Sequence, residues 1–284
     1  MNYVLFNGNL INGDGAVVPL SNRAFRYGDG FFETIRVING TARFVQHHYE
    51  RVLDSAKAFH MILPSDFTLE HFQSQLNNLA AENGIEGGGR IRITFCRKSG
   101  GLFAPSTHET EYYGEIVELE DNFFSLNEKG MTLDIYPDIR KDIHLLSVYK
   151  SLNCSLYIMA RIFAQQKNLE DALIQNHRGS IIEATSSNLF LVSNGVLYTP
   201  SLDDGCVAGT MRMNIINIAL ENKIKVYECS LNPQNLLVAD EIFLTNAISG
   251  VRWVSSYRTK RYFNDMSRKM IGWLNQYINI VDDL

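Results

Sequence analysis

The sequence contains no run of about 18 apolar residues, so a membrane-spanning helix is not expected. It has no basic excess either. Lys+Arg number 26 against 31 Asp+Glu, for a net charge of −5, which argues against nucleic acid as a partner. The four cysteines, Cys96, Cys154, Cys206 and Cys229, are scattered without paired spacing. Neither a disulfide framework nor a zinc site is expected, no other metal is implied, and reduced thiols suit a cytoplasmic setting. Met1 to Phe6 shows no basic leader before an apolar segment, so a secretory signal is not expected. Gly87-Gly88-Gly89 precedes a strand pattern instead of following one, so it reads as a flexible turn and not as a dinucleotide fingerprint. Internal repeats and low-complexity segments are also lacking.

At 284 residues, 45% of them hydrophobic and 20% charged, the chain can bury a sizeable core and suits two domains. A smaller α+β domain is expected over 1–120, a polar linker over 121–128 and a larger mixed α/β domain over 129–284. The first half reads as short strands joined by glycine turns. These are Tyr3–Phe6, a turn at Asn12–Gly15, Ala16–Pro19, then Phe31–Ile38 joined through Asn39-Gly40 to Thr41–Val45. Helical spacing begins near His47 and returns from Leu69 to Glu82, and Arg90–Phe95 alternates as a strand. In the second half helices follow Lys150 and Gly209. Strands are expected at Ala172–Ile174 and Glu241–Leu244, and a hairpin turns at Asn194-Gly195.

The chemistry-bearing candidates are Lys150, read as lying where a strand runs out, and Glu183, at the end of a second apolar run. A lysine amine can form a Schiff base with the aldehyde of pyridoxal phosphate (PLP), and a carboxylate can keep that ring's nitrogen protonated. Tyr149-Lys150-Ser151-Leu152-Asn153 resembles the lysine motif of the class IV, fold type IV PLP enzymes. Glu183-Ala184-Thr185-Ser186-Ser187-Asn188-Leu189-Phe190 resembles their glutamate motif. The family contains branched-chain and D-amino-acid aminotransferases and aminodeoxychorismate lyases. The resemblance runs from Phe6-Asn7-Gly8 to about Val254. It implies a two-domain fold like that of the D-amino-acid aminotransferases.

The resemblance also assigns cofactor contacts. His48 to Ala56 resembles the phosphate-binding arginine motif, with Arg51 the phosphate ligand and His47 and His48 outlying or surface groups. An arginine fork suits a phosphate dianion. Cys206 to Arg212 resembles the turn that cups the phosphate, with N–H groups from Thr210 and Met211 and Val207 under the ring. Ser186 falls near the ring hydroxyl, and Asn246 and Ala247 close the last cup.

On the substrate side the resemblance points to Phe32, Arg92 and Asn246. Arg97-Lys98-Ser99-Gly100-Gly101 and Thr245-Asn246-Ala247 resemble the lyases. However, Leu102 stands where the lyase pattern has arginine, and Leu102-Phe103-Ala104 replaces the Arg-x-His carboxylate trap of D-amino-acid aminotransferases. The implied activity is transamination of a branched-chain-like amino acid to its 2-keto acid. Conversion of aminodeoxychorismate to 4-aminobenzoate and pyruvate carries nearly equal weight, D-amino-acid transamination less, and a non-catalytic binding module least. The resemblance also implies a homodimer in which Leu102–Thr107 reaches the partner's pocket.

Overall fold

The computed structural model describes residues 2–15 and 18–281, the side chains of 279–281 excepted. It divides into two compact units, Met1–Phe123 with Tyr149–Asn153, and Phe124–Val148 with Cys154–Leu284. The division falls within the segment expected as a linker, and the short lysine-bearing stretch groups with the first unit.

The first unit contains β1 (Tyr3–Phe6), β2 (Asn9–Asn12), α1 (Arg23–Tyr27), β3 (Gly30–Ile38), β4 (Thr41–Ala42), α2 (Val45–Ala58), α3 (Leu69–Glu82), β5 (Gly88–Arg97) and β6 (Thr110–Leu119). Its sheet runs β2-β1-β6-β5-β3-β4. Strand alternation puts Phe31, Ile35 and Val37 of β3 beside Ile91, Ile93 and Phe95 of β5, all fully buried. The helices cover this face. Thr68 caps α3 through its side chain, which accepts from the His71 N–H, and Phe72, Leu76 and Leu79 supply the buried stripe.

Four expectations need correction here. The first hairpin turns at Asn7-Gly8, where both φ values are positive and match the twist of paired strands, while Gly13–Gly15 forms a 3-10 turn. Of the strand expected over 16–19, Val18 and Pro19 have no strand pairing, and Ala16 and Val17 lie outside the described residues. Gly88 and Gly89 are buried strand residues and not a flexible turn, because β5 is paired along both edges, to β3 and β6. The strand after Asn39-Gly40 also stops early, since Phe44 takes a left-handed conformation and starts α2.

The second unit contains β7 (Met131–Ile135), α4 (Ser155–Gln166), β8 (Asp171–Gln175), β9 (Ile181–Ala184), β10 (Asn188–Ser193), β11 (Val196–Thr199), α5 (Thr210–Glu221), β12 (Val226–Glu228), α6 (Pro233–Val238), β13 (Glu241–Asn246), β14 (Gly250–Tyr257), β15 (Lys260–Arg261) and α7 (Asp265–Val281). The sheet order is β12-β11-β10-β13-β14-β7-β8-β9, and β9 pairs back to β10 through Glu183 and Asn188. That pairing closes a ring of strands, with Glu183 and Asn188 at the seam. Both units are therefore mixed α and β. Among the described residues no helix is long and apolar enough to cross a membrane.

Candidate active site

In the first unit the lysine segment docks on β3. Phe32 N–H donates to the Lys150 carbonyl at 2.9 Å, Leu152 N–H donates to the Gly30 carbonyl at 3.1 Å, and Ser151 bridges Phe31. Lys150 is thus not at the end of a strand. Its backbone follows a turn and is held by the start of β3. Its Nζ lies 4.5 Å from the centre of the Phe32 ring, and the Arg92 guanidinium carbon lies 3.9 Å from the same ring. The β3–β5 register explains the second contact. Thr34 faces Arg92 and Phe32 faces Thr94, so Arg92 is a diagonal neighbour of Phe32 on one face. Phe32, Arg92 and Lys150 are therefore brought together.

Arg51 belongs to the other face of β3. Along α2, His48, Arg51, Val52 and Ser55 share the buried stripe, so two ionisable groups, His48 and Arg51, point inward and need a partner. Glu33 supplies it. Arg51 Nε and Nη2 donate to the two Glu33 carboxylate oxygens at 2.8 and 2.5 Å, and His48 Nδ1 lies 2.6 Å from Oε2. Burial opposes ionisation of Glu33, but the Arg51 charge and the His48 contact outweigh it and hold the carboxyl down at about 2. Burial lowers the His48 pKa, against the pull of Glu33. His48 is therefore a buried partner of the acid and not a surface group.

In the second unit Glu183 is 2% exposed, and three donors meet its carboxylate, one of them at Oε2. Its Oε1 accepts from Lys141 Nζ at 2.7 Å and from the Tyr157 hydroxyl at 2.8 Å, and its Oε2 accepts from Val207 N–H at 2.8 Å. Burial, then the Glu183 charge, push the Tyr157 phenol well above its ordinary range, so it remains a donor. The same two causes push the Cys206 thiol up to about 12. Asn188 Nδ2 donates to the Val207 carbonyl at 2.7 Å, fixing the turn that leads into α5. Gly209 is the N-cap of α5, and among the described residues no side chain caps it, which leaves the first-turn N–H groups of Thr210 and Met211 for an anion. A Cβ at Gly209 would fall 1.9 Å from Asn188 Oδ1, so no larger residue fits there.

Ser186 is exposed beside this seam, and Ala247 is half-buried in the turn after β13. Asn246 is largely committed to its own turn. Its Oδ1 accepts from the N–H groups of Ile248 and Ser249, and its Nδ2 donates to Ser187 Oγ at 3.0 Å.

Glu33, Lys141, Tyr157 and Asn188 were not singled out from the sequence. Only Glu33 left a signal there, as an acid on the apolar parity of a strand between Phe31 and Ile35, where a charge needs a buried partner.

With lysine, acid, arginine and an uncapped helix start in place, comparison with known proteins identifies the class. The family model for amino-transferase class IV matches residues 30–257, and the chain belongs to that family of PLP-dependent enzymes. A D-alanine aminotransferase from Listeria monocytogenes is 29% identical over 255 residues, spanning 86% of this chain and 83% of the relative. A branched-chain aminotransferase from Thermoproteus uzoniensis, solved with norvaline, has the same fold, with a TM-score of 0.86, 23% identity and coverage of 95% and 92%. A Legionella pneumophila protein named as a candidate 4-amino-4-deoxychorismate lyase aligns with a TM-score of 0.80, 27% identity and coverage of 93% and 96%.

Proposed function

We propose that this enzyme transfers the amino group of an α-amino acid with an apolar side chain to a 2-oxo acid, with PLP as cofactor. The observation that carries the reading is the pairing of Lys150 and Arg92 over the single ring of Phe32. A reactive amine, an apolar surface and one cation are what such a substrate asks for. The ring supports an apolar side chain, and the guanidinium supports a carboxylate, including that of an acidic co-substrate.

The residues fit the cofactor. Gly209 leaves room at an uncapped helix start where a phosphate can lie on the Thr210 and Met211 N–H groups. In the first unit Arg51, oriented by Glu33, would be the phosphate-binding arginine, and in the second Asn246 and Ala247 would close the cup by their backbone. Glu183 would face the ring nitrogen, Val207 would pack under the ring and Ser186 would lie by its hydroxyl. When bound, the cofactor supplies an electron sink for the bonds at the substrate's Cα. Lys150 Nζ would hold the cofactor, then accept the Cα proton and return it later in the cycle. Glu183 would hold the proton at the ring nitrogen.

The lyase reading is second. Its support is the Thr245-Asn246-Ala247 turn and the Legionella neighbour. Against it, the Asn246 side chain serves its own turn, and the Leu102 position, arginine in the lyase pattern, is apolar and exposed. The D-alanine aminotransferase relatives keep D-amino acids in the substrate panel. The test is turnover of L- and D-amino acids with 2-oxoglutarate beside release of 4-aminobenzoate from aminodeoxychorismate. Keto-acid formation from L-leucine, L-isoleucine or L-valine without 4-aminobenzoate release is the expected result. Release of 4-aminobenzoate and pyruvate from aminodeoxychorismate, with no keto acid formed from any of the amino acids, would overturn the proposal.

A further inference from the structure

We infer that Lys141 is a positioning residue that keeps a proton on the cofactor's ring nitrogen by holding Glu183 in its charged form. The inference rests on the PLP reading above and deepens it. Lys141 is not a surface lysine. Its side chain is 11% exposed, and its Nζ is clamped between Glu183 Oε1 at 2.7 Å and the Ser147 carbonyl at 2.8 Å. Its backbone is fixed from both sides, donating to the Gln175 carbonyl and accepting from His177 N–H. Its Nζ also lies 5.5 Å from the centre of the Tyr157 ring, whose hydroxyl donates to the same carboxylate oxygen. Such rigid placement of a cation on a buried acid needs a purpose, because burying this pair costs solvation.

The charges supply the purpose. A ring nitrogen facing Glu183 shares one proton with it. With Lys141 present, moving that proton onto Glu183 would strand a buried ammonium beside a neutral acid, so the proton stays on nitrogen. Without Lys141, the neutral pair of ring and protonated acid is favoured in a low-dielectric surrounding. Tyr157 and Val207 N–H reinforce the charged form but carry no net charge, so they cannot replace the lysine.

The test uses holoenzyme loaded with PLP carrying nitrogen-15 in its ring. Wild type is expected to show a protonated ring nitrogen. Lys141→Met is expected to move the signal toward that of neutral pyridine and to lower kcat about ten- to a hundred-fold, with KM changed less than about two-fold. Lys141→Arg should restore both. Lys141→Gln, closer to lysine in shape and polarity, is measured beside the methionine variant and should show the same shift, so a folding failure of one leaves the other to decide. An unchanged protonated signal in a folded neutral variant overturns the role of Lys141. A wild type that binds no labelled cofactor overturns the PLP reading itself.

Discussion

Replacing Glu33 with Gln should cost the first unit about 3 kcal/mol at neutral pH. The carboxyl is held at about 2 against an ordinary 4.5, a difference that corresponds to roughly 3 kcal/mol of folded-state stabilisation. Breaking a buried ion pair from one side costs about 3–5 kcal/mol in other proteins, and here it would leave the Arg51 charge uncompensated. Because the native value is depressed, the stabilisation is complete above pH 4.5 and is lost as the pH falls toward about 2. His48 adds an earlier loss. Its buried ring resists protonation that the unfolded chain accepts below 6.5, so stability declines from there downward. Urea unfolding of the cofactor-free protein, followed by circular dichroism at a series of pH values, measures both. Fluorescence is less suitable, since Trp253 and Trp273 both lie in the second unit. A Glu33→Gln variant within about 0.5 kcal/mol of wild type at pH 7, or one that keeps the wild-type slope below pH 4.5, would refute the reasoning.

Borohydride reduction and peptide mapping should place a pyridoxyl group on Lys150, and a label on Lys141 or Lys167 instead would sink the assignment. Glu183→Gln should bind PLP yet turn over about two orders of magnitude more slowly, as steady-state kinetics beside cofactor titration would show. Gly209→Ala should weaken PLP binding in calorimetry and lower the melting temperature, because the added methyl meets Asn188 at 1.9 Å. Light scattering should find a homodimer at micromolar concentration, and an active monomer would exclude it.

Much of the fold could be read from residue periodicity, and the exceptions have a common cause. Helix α3 runs over Leu69–Glu82 as its spacing implies, because a threonine cap and an apolar stripe are local signals. Asn7-Gly8 and Asn12-Gly13 are equally good turn signals, and only strand pairing chooses the first for the hairpin. The local pattern sets Lys150 at a strand end, whereas its position comes from docking on β3 more than a hundred residues earlier. The partners that orient the expected ligands were the least legible. Glu33 meets Arg51 across 18 positions and Lys141 meets Glu183 across 42, and no local pattern encodes either pairing.

Strand alternation then explains how one short stretch serves two purposes. Phe31 and Glu33 point to the buried face, where Glu33 fixes Arg51, while Phe32 points to the face shared by Lys150 and Arg92. A shift of one residue would exchange the faces, placing an acid beside Lys150 and a phenylalanine against Arg51. The register is secured along nearly the whole strand, from Gly30 opposite Cys96 to Val37 opposite Gly89. On its other edge the lysine segment itself pairs with Gly30 and Phe32. The segment that carries Lys150 therefore helps to fix the register that places Glu33 against Arg51.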